Sequence, residues 1–305
     1  MGSYLQGKSI AITGGGGGIG RAIALACAAE GANVVVADIG VGLAGEDPTS
    51  AVADAVVEEI TATGGTAVAV AASVTTMEGA DAIISTAVDR WGSIDGVVCV
   101  AGILRERMLF NMSEDEWDPV IETHLKGTFT VFRHAAAVMR KQPGGGSLIG
   151  FTSGAFAGSV AQANYSAAKG GIVSLVRSAA LGMHRYGVTA NCIAPIAKTR
   201  MSANVPFGID MGEPEDIAPL VVYLLSDKAR HITGQVYTAV GSKIAVWNQP
   251  VEVRSMFTEG RWTPEAIEAR LDGAIGQEIM PFLAELEARA AAAAAVAAGG
   301  EKPNG

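Results

Sequence analysis

Tyr165 and Lys169 stand four residues apart in Tyr165-Ser166-Ala167-Ala168-Lys169, a spacing that puts both side chains on one face of a helix. Alone, a phenol titrates near ~10 and an ammonium near ~10.4, so neither exchanges protons usefully at neutral pH. Side by side, the lysine charge favours the phenolate and is expected to lower the tyrosine pKa. Such a phenol takes a proton from an alcohol or returns one to a carbonyl. The same spacing also occurs on many solvated helix faces, so its meaning depends on what else the chain supplies.

A second set of residues lies near the N-terminus. Lys8-Ser9-Ile10-Ala11-Ile12-Thr13 reads as a buried strand, followed by Gly14 to Gly20 with Ile19 among the glycines, then a helical run from Arg21 to Glu30. Strand, glycine turn and helix start form an anion site, because backbone N–H groups and the helix dipole face a pyrophosphate that missing side chains let approach. The run fits G-x-G-x-x-G at Gly15, Gly17 and Gly20, and also Thr-Gly-x-x-x-Gly-x-Gly at Thr13, Gly14, Gly18 and Gly20. Spacing within the run does not choose; the Tyr165/Lys169 pair downstream favours the second. Asp38 ends the second predicted strand, where a carboxylate accepts both ribose hydroxyls of NAD and repels the 2′-phosphate of NADP. Gly15 to Gly17 and Ile39 offer no compensating Arg or Lys, so the expected cofactor is NAD.

The elements that must position these groups follow from the hydrophobic pattern. Apolar runs at Ser9–Thr13, Asn33–Asp38, Ala67–Ala71, Gly96–Val100, Ser147–Phe151, Thr189–Ile193 and Gln235–Val240 read as strands covered on both faces. Helical patterns alternate with them, notably Ser113–Arg140, Asn164–Tyr186 and Pro214–Ser226, the first opening on a Ser113/Glu116 capping box. The expectation is an α/β fold: a doubly wound parallel sheet (Rossmann fold) of about seven strands with helices on both faces. Gly40–Ser50 is a long glycine-rich connection. The composition changes from about Ile244, with Trp247, Phe257 and Trp262 close together and a helical pattern from Pro264. Ala290–Ala298 is nearly pure alanine, a strong helix former. Residues 1–245 are thus expected to form the NAD-binding domain and 246–305 a helical extension packing on the core or a neighbouring subunit, with a disordered tail from Gly299.

The formal charge of −9 argues against nucleic acid and anionic membrane as partners. Cys27, Cys99 and Cys192 are widely spaced in apolar surroundings and read as reduced core thiols of a cytoplasmic protein, with no metal site. No apolar run reaches the roughly 18 residues a membrane helix needs, and no charged-then-apolar leader precedes Lys8.

From about residue 7 to 245 the chain resembles the short-chain dehydrogenase/reductase family. More narrowly, it is similar to the branch with the (3R)-hydroxyacyl-CoA dehydrogenase part of peroxisomal multifunctional enzymes and related bacterial hydroxysteroid dehydrogenases. The stretches carrying the resemblance are Gly102-Ile103-Leu104-Arg105, Gln162-Ala163-Asn164-Tyr165-Ser166-Ala167-Ala168-Lys169, Ile193-Ala194-Pro195 with Thr199-Arg200-Met201, and the long segment Gly40 to Ile60. The resemblance implies reversible hydride transfer between a secondary alcohol and NAD. Tyr165 is then the general acid-base, Lys169 tunes it and holds the nicotinamide ribose, and a serine donates to the substrate oxygen. That serine is Ser153 if the following loop is one residue shorter than usual; Thr152 stands at the ordinary spacing. Gly14, Gly18 and Gly20 with Thr13 and Ile19 would seat the pyrophosphate, and Thr199 would reach the carboxamide. Ile196, after Pro195, would pack on the nicotinamide.

Three positions depart from the family pattern. Cys99-Val100-Ala101-Gly102 replaces the usual Asn-Asn-Ala-Gly, and the third strand ends Ala72-Ser73-Val74 without the usual Asp. Cofactor contacts there fall to Ser73, Val74, Ala101 and Gly102. His124 stands for the relay asparagine and could hold a water through a ring nitrogen, or be a buried histidine capped by a carbonyl. Lys198 to Gly212 is expected to form a lid, with Met201, Val205, Pro206, Phe207, Ile209 and Met211 suited to an acyl chain or fused rings. Arg105 and Arg107 could meet an anionic group of the substrate, or be exposed loop charges. The implied substrate is a bulky apolar alcohol, a 3-hydroxyacyl-CoA thioester ahead of a steroid. A non-catalytic NAD-binding scaffold is the alternative from another class. Helix Asn164–Tyr186, with Ile172, Leu175, Val176 and Ala179 as further apolar positions, is expected to pair across a two-fold axis in a homodimer or homotetramer.

Overall fold

A computed structural model describes residues 3–40, 49–199 and 211–299. Its strands are β1 (Ser9–Thr13), β2 (Asn33–Ala37), β3 (Thr66–Val70), β4 (Gly96–Cys99), β5 (Gly146–Phe151), β6 (Val188–Pro195), β7 (Val236–Val240) and β8 (Lys243–Val246). They form one sheet in the order β3-β2-β1-β4-β5-β6-β7-β8. All neighbours are parallel except the β7–β8 hairpin. The predicted strands therefore form, and β8 is the addition. It arises because Gly241 takes a positive φ of +49°, so that Gly241-Ser242 closes a two-residue hairpin between the paired Val240 and Lys243.

Side-chain alternation along the central strands builds two cores. Ile10 and Ile12 of β1 join Val34 and Val36 of β2 on one face. That face is covered by α1 (Gly18–Ala29), α2 (Ala51–Ala62) and α7 (Ala218–Leu225). Ala11 and Val35 point the other way, into a cluster with Ile83, Phe132, Met139, Ile172 and Val176. These last come from α3 (Met77–Trp91), α5 (Gly127–Met139) and α6 (Ala163–Met183). Sequence order reverses between β1 and β4, and at such a switch point the crevice outside the strand C-termini accepts ligands. Register brings Thr13 level with Cys99, and Phe151 level with Ile193, at that edge.

The expected single helix Ser113–Arg140 is interrupted. Ser113 and Glu116 do form the reciprocal capping box at the start of α4 (Glu114–Ile121). Pro119 then removes one backbone donor inside the helix. Three residues later the chain passes through a π-turn, Glu122–Lys126, in which the Gly127 N–H reaches back to the Glu122 carbonyl. The extra residue re-aims His124 into the protein, where it is 2% exposed.

Of the further apolar positions on α6, Ile172 is 1% and Val176 0% exposed, in the core, while Leu175 and Ala179 are half-buried. The large apolar side chains that α4, α5 and α6 leave exposed are Trp117, Phe129 and Leu181.

The chain divides into two units, Met1–Trp247 and Asn248–Gly305. Within the second, Thr263 caps the short helix Pro264–Glu268 by accepting from the Ala266 N–H at 3.2 Å. Leu271–Ala274 and Pro281–Gly299 are helical, the latter containing the alanine run. Arg254 donates to the Ile275 carbonyl at 2.7 Å and pairs with Glu278. The tail beyond Gly299, most of Gly40–Ser50 and Arg200–Asp210 of the expected lid lie outside the described residues.

Candidate active site

The glycine turn leaves β1 through Gly14, whose φ is +66°. A Cβ at this position would lie 2.7 Å from the Ala101 nitrogen, and one at Gly20 would lie 2.0 Å from the Gly14 carbonyl oxygen. The turn is thus pressed against the end of β4 on one side and against its own helix on the other. Thr13 Oγ1 accepts from the Ala101 N–H at 3.4 Å. Helix α1 starts with no side-chain cap on its free N–H groups and no acidic residue in its first turn, which leaves its positive end suited to an anion. Asp38, beyond β2, accepts from the Gly16 N–H at 2.9 Å and the Gly40 N–H at 2.8 Å. A carboxylate oxygen takes more than one donor, so both remain open to hydroxyl groups. Thr199 lies beside the turn, since a Cβ at Gly18 would meet its Cγ2 at 3.6 Å. These features fit the pyrophosphate and ribose of a dinucleotide.

At the adjoining strand ends stand the groups that could handle a proton. Lys169 is 4% exposed. Its Nζ donates to the Phe151 carbonyl at 2.7 Å and lies 5.3 Å from the centre of the Tyr165 ring. The Ser153 hydroxyl acts on the Tyr165 phenol, lowering its pKa, and accepts from the Ala155 N–H at 3.3 Å. Thr152 is committed elsewhere, its hydroxyl donating to the Lys169 carbonyl at 2.9 Å. Only one of the two neighbouring hydroxyls therefore faces the phenol.

The electrostatics differ from the expected lowering of the Tyr165 pKa by Lys169. Burial pushes the Tyr165 phenol up to about 12, opposed by the Ser153 hydrogen bond. Burial likewise pushes Lys169 down to about 7, opposed by Cys192 and Cys99. Desolvation penalises the charged form of both groups, so near neutrality the amine is only partly charged and the phenol stays protonated. In this state Tyr165 is neutral and carries its proton.

His124 meets the Tyr165 ring edge-on, with centroids 5.1 Å apart. A Cβ at Gly102 would lie 2.1 Å from His124 Cε1, so the glycine makes room for the imidazole. Burial, with the nearby Lys169 charge, holds His124 well below its ordinary value, and it is neutral. Nε2 lies 2.8 Å from the Ile103 carbonyl and 3.2 Å from its nitrogen. The shorter contact assigns Nε2–H as donor, leaving Nδ1 buried with no partner in the protein. The carbonyl cap expected of a buried histidine is present on Nε2, and Nδ1 remains without a protein partner.

Of the remaining cofactor positions, Ala101, Gly102, Pro195 and Ile196 lie at or just beyond the ends of β4 and β6. Ser73 and Val74 follow β3; the Ser73 hydroxyl shares a hydrogen bond with Thr75 at 3.0 Å, and the Val74 carbonyl accepts from Thr130 at 2.6 Å. Arg107 pairs with Glu116 at 2.7 Å and does not present an uncommitted charge. The ends of the expected lid meet, with the Lys198 N–H donating to the Gly212 carbonyl at 2.8 Å. Sequence reasoning missed Asn164: it is 0% exposed and bonds two other segments, at Arg105 and Glu116, to the start of its own helix beside Tyr165. A polar residue directly before the candidate acid-base group was the available signal. Among the described residues no cluster of His, Cys, Asp or Glu could hold a metal, and no helix is long and apolar enough to cross a membrane.

A family model described as enoyl-(acyl carrier protein) reductase matches residues 14–241. The hydroxyacyl-CoA dehydrogenase ChsB1 of Mycobacterium tuberculosis is 40% identical over 285 residues, covering 88% of each chain. The peroxisomal multifunctional enzyme type 2 of Mus musculus is 40% identical over 238 residues, 77% of this chain and 32% of that one. The crystal structure of a short chain dehydrogenase from Mycobacterium avium superposes with a TM-score of 0.82 at 46% identity, covering 90% of this chain and 97% of that chain. With the glycine turn, the Tyr165/Lys169 pair and the doubly wound sheet in place, these likenesses establish that the chain belongs to the short-chain dehydrogenase/reductase family, oxidoreductases that act on CH–OH groups with a nicotinamide cofactor.

Proposed function

We propose that this protein is an NAD-dependent oxidoreductase that interconverts a secondary alcohol and a ketone on a bulky apolar substrate, foremost a 3-hydroxyacyl thioester of coenzyme A. The observation that carries the reading is the grouping of the Tyr165 phenol, the Ser153 hydroxyl and the Lys169 amine at strand ends adjoining the glycine turn. The preference for NAD is supported by Asp38, held by the Gly16 and Gly40 amides. No Lys or Arg occurs from Gly14 to Gly20 or from Ile39 to Ser50 to neutralise a 2′-phosphate. The acyl thioester is supported by the names of the similar dehydrogenases and by the apolar composition of residues 201–211. That composition suits a steroid as well, which is the second reading.

The residues divide the work as follows. Ser153 donates to the substrate oxygen and holds it beside Tyr165. Tyr165 gives its proton to that oxygen in reduction and takes it back in oxidation. Lys169, part-protonated near neutrality, supplies positive charge beside the phenol and an ammonium for the ribose hydroxyls. His124 Nδ1 accepts from a water through which Lys169 exchanges protons with solvent. When bound, the dinucleotide supplies or accepts the hydride. Gly14, Gly18 and Gly20 would hold its pyrophosphate at the start of α1, and Asp38 would accept from its adenosine ribose hydroxyls.

The test is absorbance at the NADH band with acyl-CoA, steroid and small secondary alcohols, using NAD and NADP in parallel. The expected outcome is the highest specificity constant for a bulky apolar alcohol with NAD. Tyr165→Phe should retain NADH binding and lose at least ~10²-fold in turnover, as for a lost general acid-base group. Small polar alcohols winning by about tenfold, about 1.4 kcal/mol in the transition state, would overturn the substrate reading. Equal use of NADP would overturn the cofactor reading.

A further inference from the structure

Asn164 uses its whole amide. Its Nδ2 donates to the Arg105 carbonyl at 3.0 Å and to the Glu116 carbonyl at 2.6 Å, while its Oδ1 accepts from the Tyr165 N–H at 2.7 Å. One side chain thereby joins the loop after β4, the first turn of α4 and the start of the catalytic helix α6. Further bonds run between the same segments. The Arg107 N–H donates to the Ala161 carbonyl at 2.8 Å, and Gln162 donates to Glu106 at 2.6 Å. The Arg107 guanidinium pairs with Glu116, which also caps α4. Ala161 has a φ of +60°, in the left-handed region where a non-glycine residue is strained. The Arg107 bond to its carbonyl is part of what holds it there.

We infer that Asn164 is a positioning residue: it locks the loop of residues 102–107 to the catalytic helix, so that the wall of the substrate site and the Tyr165 phenol keep one fixed geometry. An amide is needed because two carbonyl oxygens must be met by donors and one N–H by an acceptor, in a place without water access. No other side chain of this size has both functions. The consequence for Tyr165 rests on the oxidoreductase reading above; the locking of the loop does not.

Two variants separate the two effects. Asn164→Asp keeps the acceptor for the Tyr165 N–H but turns a carboxylate toward the Arg105 and Glu116 carbonyls. Asn164→Ala removes all three bonds. Hydrogen exchange by mass spectrometry reads the lock without turnover: in Asn164→Asp, amides of residues 102–107 should exchange about tenfold faster while those of β5 are unchanged, the signature of local opening. In steady-state kinetics Asn164→Asp should raise the KM for the bulky alcohol about tenfold with kcat nearly kept, whereas Asn164→Ala should also lower kcat about tenfold or more. NADH affinity, read by fluorescence, should stay within about twofold in both. Unchanged exchange in residues 102–107, or a uniform rise across the whole chain, would show that Asn164 serves packing alone. A parent enzyme inactive on every alcohol would instead refute the functional reading and leave the exchange result to decide the lock.

Discussion

Thr152 gives its hydroxyl to the Lys169 carbonyl, whereas Ser153 faces Tyr165, so adjacent residues of similar chemistry should respond oppositely to substitution. Ser153→Ala is expected to lower kcat by about 10²-fold with little change in stability, the usual effect of losing a donor to the reacting oxygen. Thr152→Val should cost about 1 kcal/mol of stability and leave kcat within about twofold; urea unfolding and initial rates measure both. The lysine makes a separate prediction through pH. Burial lowers the folded-state pKa of Lys169 from 10.5 to about 7, so between those values the unfolded chain binds a proton that the folded chain does not. Stability therefore rises with pH across that window, and the cost of the buried charge is complete below about 7. Lys169→Met removes the effect. Its unfolding midpoint relative to the parent should be highest at about pH 6 and fall steadily toward about pH 10. A pH-independent difference would mean the ammonium is not desolvated.

The π-turn, the glycine turn and the hairpin are where local structure is set by particular residues. Ser113 and Glu116 announce the start of α4 through hydrogen-bonding groups three apart, and that start is found. The widened turn after Pro119 has no such signature, because the fit of His124 over Gly102 involves residues distant along the chain. In the glycine turn the closest approach is between Gly20 and the Gly14 carbonyl, where an added Cβ would lie 2.0 Å from the oxygen. Gly20→Ala should therefore shift the turn. We expect a loss of about 1–3 kcal/mol in stability, as for overpacking elsewhere, with NADH affinity falling at least about tenfold. Thermal unfolding and fluorescence titration measure these. Wild-type affinity in this variant would mean that the turn does not seat the dinucleotide.

On the scale of the whole molecule, Trp117, Phe129 and Leu181 are 36%, 46% and 84% exposed on α4, α5 and α6. Large apolar groups left uncovered on neighbouring helices favour association, and closed symmetry is the usual result for a soluble oligomer. Light scattering at micromolar concentration should report a dimer or tetramer, and Leu181→Asp together with Phe129→Asp should shift it toward the monomer. A monomeric parent would count decisively against this. On α6 itself, Ile172 and Val176 are enclosed in the core, whereas Leu175 and Ala179 are half-buried.

The sequence by itself determined the alternation of apolar strands and helices, hence the doubly wound sheet, together with the glycine turn, Asp38 and the Tyr165/Lys169 spacing. Each of these is written in residues close together in the chain, where backbone geometry alone relates them. Tertiary structure decided what depends on distant segments meeting: which hydroxyl faces the phenol, how burial sets the charges of Tyr165 and Lys169, where the His124 nitrogens point, and that Asn164 ties two distant segments to its own helix. Burial and hydrogen-bond partnership are properties of the packed chain, and a list of residue types and spacings does not contain them.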